Sequence, residues 1–498
     1  MKISDVLNKD EYSCERDVEN VDFSNICTDI NNSDEKTLFV LLDSISRDIT
    51  TIIEYIKVKK PCMILTDRKI GLYLSDTPVL YSENIRKTLA LLYSRYYSVD
   101  YSKLKIIGVT GTNGKTTTAT MLKHILEYSG KKVGFIGTGK IEIGNDIISG
   151  QNYSMTTPDP SLLYKAIKEM EISGCEYIVM EVSSHALYFD KTYPLNFELS
   201  LFTNLSPEHL DFHKDMEEYY NVKMKLFEKS KMGIFNIDDK YSARAYRELK
   251  IKKDGIGIIQ SAPAEARDII YHGTDGSDYI YRDINKLFRV KLKLPGVYNI
   301  YNSMMAICAG INLGLKPYMV KEAVNEISSI QGRFEVIKYN SLTVIIDYAH
   351  TPEAFKNILK TVNSTKNIGQ KVITIFGCGG ERDKSKRPVF AELAEEMSDY
   401  VIVTSDNSRN EDTTEIIKDI LSGFKFHTSR KVITSREKAI ENAVISADED
   451  DIIVLIGKGP ERYSIDKSGY HYFNEREIIE NSLKKRCEIK RQNANRVK

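Results

Sequence analysis

The 498-residue sequence has no excess of either charge, with 70 Lys+Arg against 70 Asp+Glu. No overall field draws it to nucleic acid or to an anionic membrane, so any phosphate site is local. It has no apolar run approaching the roughly eighteen residues of a membrane span. Residues 1–17 are polar and mixed in charge, without the apolar core of a signal segment. The expectation is a cytoplasmic protein with no membrane insertion. There is no CxxC pair either: Cys14, Cys27, Cys62, Cys175, Cys308, Cys378 and Cys487 are scattered. That fits reduced thiols rather than a disulfide framework or a zinc site. Neither an internal repeat nor a low-complexity segment is present.

What is there is an alternation of short apolar runs with helical stretches. At roughly 100–200 residues per domain the length predicts about three domains. Residues 1–102 carry runs such as Leu38–Leu42 and Met63–Leu65 beside a helical segment, Ile85–Tyr97, and read as a small α/β domain. Residues 103–331 carry strand-like runs at Ile106–Thr110, Val133–Ile136, Tyr177–Met180, Leu199–Phe202 and Gly233–Ile237, the pattern of a mainly parallel sheet. Residues 332–498 repeat the pattern at Leu342–Ile346, Val372–Phe376, Tyr400–Val403 and Ile452–Ile456, which predicts a Rossmann-like, doubly wound domain. The fold class is therefore α/β throughout. Ligands of such sheets bind beyond the carboxyl ends of the strands, where most of these runs end in polar, Gly-rich or charged residues. The basic segment Lys484–Lys498 reads as a solvated, frayed terminus.

Strand Ile106–Thr110 enters Gly111-Thr112-Asn113-Gly114-Lys115-Thr116-Thr117, and the following stretch has apolar residues at helical spacing. This is the GKT core of a phosphate loop, whose backbone N–H groups and helix N-terminus hold phosphates. In such a loop Lys115 meets the terminal phosphates and the Thr116 hydroxyl meets Mg²⁺. The strict GxxxxGK[ST] pattern fails at one place, where Val109 stands for the first glycine.

This variant loop is the one found in Mur ligases and their folylpolyglutamate synthetase relatives. Further blocks continue the resemblance in order from about residue 106 to 461: Thr156-Thr157-Pro158-Asp159, Glu181 to Leu187, Asn204-Leu205, His209 to His213, Gly332 to Glu335, Asp347 to Pro352 and Phe376 to Asp383. They look like blocks of the MurE type, which adds the third amino acid of the peptidoglycan stem peptide. The resemblance implies an ATP-dependent ligase. Forming an amide from a carboxylate in water needs a better leaving group, which a transferred phosphoryl supplies, and catalysis then rests on positioning and cation clamps.

Residue by residue, the resemblance implies ATP binding by Gly111 to Thr117, Asn299, Arg333 and Asp347, and two Mg²⁺ sites drawing on Thr116, Glu181, His209 and Lys223, the last as a CO₂-derived carbamate. Lys115, Lys223, His209 and Arg333 become the catalytic set. From composition alone Lys223 is an ordinary helix-face lysine with Lys225 as a competitor; the resemblance favours Lys223, which keeps the family's spacing to Leu226-Phe227. Thr156, Thr157, Ser183 and Lys191 would hold the acceptor. Arg382, Asp406, Asn407, Arg409, Gly457 and Glu461 would hold the incoming amino acid.

The run Asp406-Asn407-Ser408-Arg409 resembles the DNPR-type signature of meso-diaminopimelate-adding enzymes, with Ser408 in place of Pro, and Pro460 stands where the family has His. Diaminopimelate is favoured and a lysine-like diamino acid stays open. At the other end, Asp29-Ile30-Asn31 lies where the family reads uridine with Asp-Ser-Arg, and Asp43 to Asp48 replaces a Gly-containing loop. Two acceptors therefore remain, the nucleotide-sugar peptide UDP-MurNAc-L-Ala-D-Glu and another carboxylate used by a paralogue in a specialised pathway. A nucleotide-binding scaffold is the reading from a different class. The intact Lys115, Thr116, Glu181, His209, Lys223 and Arg333 argue against it. A monomer acting on small molecules is expected.

Overall fold

The computed structural model describes residues 1–42, 49–70, 74, 76–149, 155–426 and 429–496, with the side chains of 149 and 493–496 excepted. They form two compact units: residues 1–110, 131–200 and 221–232 in one, and 111–130, 201–220 and 233–498 in the other. The Asp43–Asp48 segment lies outside the described residues.

In the first unit, residues 1–104 build a five-stranded sheet in the order Ser13–Cys14, Val79–Tyr81, Met63–Thr66, Thr37–Leu41, Asn25–Cys27. Only the first pair is antiparallel. Thr37–Leu41 and Met63–Thr66 are buried along their whole length, which is why they read as continuous apolar runs instead of alternating ones. Helix Ile49–Lys59 lays Ile52, Ile53 and Ile56 against Phe39, Leu41 and Ile64. The same unit contains a parallel trio with Tyr177–Glu181 in the middle, flanked by Lys105–Thr110 and Val133–Gly137. Its register sets Glu181 opposite Val109 and Met180 opposite Ile136, so the three strands end together.

The second unit ends in a six-stranded sheet, ordered Glu335–Tyr339, Leu342–Asp347, Ile452–Ile456, Val372–Phe376, Tyr400–Val403, Arg430–Val432. All pairs but the first are parallel. Helices Pro352–Thr365, Lys386–Met397 and Thr413–Leu421 cover one face through residues such as Phe355, Phe390 and Ile416. Helices Arg436–Ser446 and Glu475–Arg496 cover the other through Ile440, Val444, Ile479 and Leu483. This is the expected doubly wound arrangement. The carboxyl ends of four neighbouring strands deliver Asp347, Gly457, Gly377 and, three residues past the strand end, Asp406 to one edge.

Two expectations change. An antiparallel meander, Ala264–Tyr271, Ser277–Arg282 and Leu287–Leu292, follows the parallel strands; its signal was the alternation that buries Ser277, Tyr279 and Tyr281 on one side. The basic tail is not frayed: Lys484 to Arg496 continues the last helix. Within it Arg486 is buried and donates to the carbonyls of Val444 at 2.7 Å and Ala447 at 2.6 Å, capping the end of helix Arg436–Ser446. Val497 and Lys498 lie outside the described residues.

Candidate active site

Helix Lys115–Tyr128 begins directly after the loop, with Gly114 at its N-cap in a left-handed conformation, φ 82°. A Cβ on Gly114 would lie 2.4 Å from Asn302 Oδ1, and one on Gly111 would lie 1.9 Å from Thr203 Oγ1. Both glycines are therefore demanded by close neighbours. The loop is gripped at Asn113, whose N–H donates to Asn204 Oδ1 at 2.9 Å. The Asn113 carbonyl accepts from Asn204 Nδ2 at 3.1 Å and from Thr203 Oγ1 at 2.6 Å. Thr112, buried, donates its N–H to the Asn204 carbonyl at 3.0 Å, and Thr117 is buried in the first turn. The Lys115 ammonium curls over the loop, donating to the carbonyls of Gly111 at 2.9 Å and Thr112 at 2.8 Å. A rigid loop at the positive end of a helix, with an ammonium above it, suits an anion with several oxygens.

In the first unit the expected acceptor residues gather round Glu181. Its carboxylate is fully buried, accepting the Thr138 N–H on Oε1 at 2.9 Å, and a Cβ on Gly137 would lie 2.4 Å from that oxygen. Thr156 Oγ1 is 3.1 Å from Thr138 Oγ1. Thr157 Oγ1 donates to the Glu181 carbonyl at 2.9 Å and accepts the Ser183 N–H at 3.0 Å. Lys191 pairs with Asp159 at 2.6 Å.

The two helix lysines differ in burial. Lys223 is 1% exposed, with Nζ 3.4 Å from Thr110 Oγ1, which itself donates to the Val182 carbonyl at 2.8 Å. Lys225, two positions on and so on a different helix face, has a side chain 43% exposed beside Asp190.

In the second unit His209 sits in a left-handed turn, φ 56°, directly after Glu208. Glu208 is buried and its Oε1 lies 3.0 Å from His350 Nε2, its Oε2 3.8 Å from His209 Nε2. Burial acts to raise the Glu208 carboxyl, yet His350 first, then His209 and Lys115, hold it well below the usual carboxylate range. Tyr219, also buried, lies between this turn and the loop: its hydroxyl is 3.3 Å from Thr112 Oγ1 and its ring stacks on His213 at 4.9 Å.

Residues 332–351 reach the same loop. Arg333 donates from its NH2 group to Thr116 Oγ1 at 2.9 Å, and Thr351 Oγ1 lies 3.4 Å from Asn113 Oδ1. Among the described residues the buried Arg333 Nε has no hydrogen-bond partner, a donor that a phosphate oxygen would satisfy. Asp347 accepts the N–H groups of Phe334 and Ala349, each at 2.7 Å, and so pins the backbone next to Arg333; burial outweighs Arg333 and these bonds and pushes its carboxyl up. Asn299 is buried at the start of helix Val297–Asn312, its amide donating to the Pro295 carbonyl at 2.7 Å and accepting from Asn302 at 3.2 Å.

At the edge of the six-stranded sheet a buried Lys458 joins three acidic or amide groups. It donates to Asn407 Oδ1 at 2.9 Å and Glu461 Oε2 at 3.3 Å and lies 3.6 Å from Asp406. Burial acts to raise Asp406, but Lys458, Arg436 and Arg409 hold it below the usual range. Asn407 Nδ2 donates to Glu461 Oε2 at 2.8 Å. A Cβ on Gly457 would meet Asp406 Oδ2 at 2.9 Å, and one on Gly379 would meet Arg409 at 3.2 Å and Arg382 at 3.7 Å. Arg409, at φ 53°, donates to the Gly380 carbonyl at 2.6 Å, whereas Arg382 is exposed. All six expected amino-acid-binding residues thus line one edge. Three cations, Lys458, Arg382 and Arg409, and two anions, Asp406 and Glu461, suit a molecule that carries both signs.

Comparison with known proteins fits both regions. The Mur ligase middle domain matches residues 109–310, and the Mur ligase glutamate ligase domain matches 332–459. A Clostridium acetobutylicum protein named UDP-N-acetylmuramoyl-L-alanyl-D-glutamate--2,6-diaminopimelate ligase 1 is 38% identical over 97% of this chain and 99% of its own length. A ligase of the same name, without the numeral, from Clostridium tetani is 39% identical over 96% of this chain and 98% of its own. The chain is a Mur ligase. Among solved structures, a UDP-N-acetylmuramoyl-L-alanyl-D-glutamate--2,6-diaminopimelate ligase is similar with TM-score 0.66 at 25% identity, covering 94% of this chain and 96% of that one. MurF of Thermotoga maritima, solved with ADP, shares the fold at TM-score 0.59 and 19% identity, covering 94% and 98%.

Sequence reasoning missed several residues of this Mur ligase that the geometry makes prominent. Glu208, Thr203 and Asn302 had no signal beyond sequence nearness to His209, Asn204 and Asn299. Lys458 lies next to Gly457 in sequence and had no further signal. Its burial at 1% exposure is what singles it out. Among the described residues no three His, Cys, Asp or Glu side chains form a ready-made metal cluster. No helix among them is long and apolar enough to cross a membrane.

Proposed function

We propose that this Mur ligase is an ATP-dependent acid–amino-acid ligase that adds a diamino acid, meso-diaminopimelate by preference, to UDP-MurNAc-L-Ala-D-Glu in peptidoglycan precursor synthesis. The names of relatives that span nearly the whole chain support it. The geometric observation that carries it is Arg333, which reaches Thr116 of the phosphate loop and keeps an unpaired buried donor beside it.

The acceptor carboxylate attacks the γ-phosphorus of ATP, forming the acyl-phosphate and breaking the bond to the β-phosphate, so that ADP leaves. The incoming amine then attacks the acyl carbon, phosphate departs, and the amine loses a proton. Loop N–H groups, Lys115 and Arg333 orient the phosphates and spread their charge. Asn299 and Asp347 serve the nucleoside side, and Thr156, Thr157, Ser183 and Lys191 hold the acceptor. Arg382 and Arg409 take carboxylates of the amino acid, and Glu461 with Asp406, Asn407 and Gly457 takes its distal ammonium.

The hard oxygen donors Thr116 and Glu181, with His209 and Lys223 as a carbamate, suit Mg²⁺, which when bound neutralises charge on the transferring phosphoryl group. A carbamate also removes the cost of burying a positive charge at Lys223. Domains divide at 1–102, 103–331 and 332–498, and the protein works as a cytoplasmic monomer.

Phosphate release tests the reading, with ATP, Mg²⁺, UDP-MurNAc-L-Ala-D-Glu and each of diaminopimelate, lysine, ornithine and lanthionine. Release only with acceptor and diaminopimelate together is expected; none with any amino acid would sink it. A second acceptor is favoured by one observation. At the uridine-reading position Asp29 caps a turn, accepting the Asn31 N–H at 3.1 Å, and the Ser and Arg of the family's element are absent from the sequence. Release with another carboxylate would then assign the paralogue role.

A further inference from the structure

Tyr348 immediately follows Asp347 at the strand end and touches two regions to which separate roles fall. The Arg333 guanidinium carbon lies 4.6 Å from the centre of its ring, a cation–π contact. At the other end of the ring the hydroxyl donates to Glu461 Oε1 at 3.4 Å. The second oxygen of Glu461 is engaged more closely, by Asn407 at 2.8 Å. Among the described residues Oε1 has only the long bonds from Tyr348 and from Tyr463, also 3.4 Å, so it is the oxygen on which an arriving ammonium competes most easily. The surrounding backbone fixes the ring. A Cβ on Gly459 would come within 2.6 Å of Tyr348 Cβ, and one on Gly332 within 2.2 Å of the Pro460 nitrogen.

We propose that Tyr348 is a positioning residue that couples amino-acid occupancy at Glu461 to the readiness of Arg333 for phosphate. The inference rests on the ligase reading for the two ends it joins. A phenol donating to a carboxylate gains ring electron density and holds a cation more firmly. When an ammonium neutralises Glu461 that donation weakens, and so does the grip on Arg333. The guanidinium, with Nε unpaired, is then free to turn to the γ-phosphate. By linkage the effect is reciprocal: bound nucleotide tightens amino-acid binding by the same factor.

Calorimetric titration of meso-diaminopimelate into the full chain, with UDP-MurNAc-L-Ala-D-Glu saturating and with or without AMP-PCP and Mg²⁺, reads that factor. Wild type is expected to bind diaminopimelate at least about fivefold more tightly with nucleotide, the lower end of typical coupling. Tyr348→Phe keeps the ring but removes the donation, and is expected to bind AMP-PCP alone at least as tightly as wild type does, while the two diaminopimelate affinities become equal. Tyr463→Phe removes the other hydroxyl on the same oxygen without touching Arg333; it should weaken diaminopimelate and keep the factor. Retained coupling in Tyr348→Phe overturns the inference, as does equal loss in both variants. Wild-type binding that ignores nucleotide overturns it too and leaves the substrate reading standing. No diaminopimelate binding under either condition removes that reading, and the inference with it.

Discussion

Arg333 and Thr116 are 217 residues apart in sequence and 2.9 Å apart in space. This hydrogen bond ties the segment that opens the last third of the chain to the first turn of the helix behind the phosphate loop.

Removing that arginine should act on turnover rather than on binding. Arg333→Ala is expected to lower kcat for phosphate release about a thousandfold, within the range known for arginines that stabilise a transferring phosphoryl group. KM for ATP should change little. Arg333→Lys should recover only a small part, because a lysine lacks the planar fork and the Nε donor. Steady-state kinetics with saturating acceptor and diaminopimelate separates the two parameters.

The two helix lysines give a paired test. Lys223→Ala should cost about 10²–10³-fold in kcat, the usual size for loss of one charge-stabilising group. Lys225→Ala, at an exposed position, should stay within about twofold. A ¹³C-bicarbonate NMR signal at a lysine carbamate, present in wild type and in Lys225→Ala and absent from Lys223→Ala, checks the assignment directly.

Gly114→Ala combines a left-handed backbone with a 2.4 Å approach to Asn302. The backbone conformation alone should cost about 1–2 kcal/mol, and the displaced Asn302 loosens the loop as well. A lower Tm together with a raised KM for ATP is expected; an unchanged KM would show that the loop tolerates the shift.

Arg409 should govern which diamino acid is used. Losing a charged hydrogen-bond partner costs about 1.5–3 kcal/mol, so Arg409→Ala is expected to reduce kcat/KM for diaminopimelate at least about tenfold. Any activity with lysine, which has no second carboxylate, should hardly move.

Arg387, 1% exposed, is held by Glu411 at 2.7 Å and Asp419 at 2.8 Å. The Arg387 hydrogen bonds, working against burial, keep the Glu411 carboxyl well below its ordinary range. A depressed carboxyl stabilises the fold above its unfolded pKa of about 4.3 and loses that contribution as pH falls towards its folded value. Glu411→Gln should therefore be less stable than wild type at pH 7, and the gap should begin to narrow as pH falls below about 4 without closing at about pH 3. Denaturant titration at both pH values reads the difference.

Much of this was legible in sequence because the signals are local. Strands such as Ile452–Ile456 are apolar throughout, since helices cover both faces, and Gly111 to Thr117 announces a phosphate loop even with Val109 out of pattern. What stayed hidden depends on distant partners. Nothing near Asn204 says that its amide will clamp Asn113, and nothing near Glu208 says that His350 will meet it. Lys225 and Lys223 differ only in which helix face turns inward, which their neighbours hint at and burial decides. The meander from Ala264 to Leu292 was readable in principle, through the alternation around Tyr279 and Tyr281, but it breaks the parallel rhythm that surrounds it.

Arg486 sets a practical boundary for anyone who recombines this protein. Its guanidinium closes off the carbonyls at the end of helix Arg436–Ser446, so a shortened version that stops before it would strip a neighbouring helix of its terminus. A fusion partner or affinity tag appended after residue 498 leaves that cap in place. The working length of the protein at this end is fixed by one side chain well outside the chemistry.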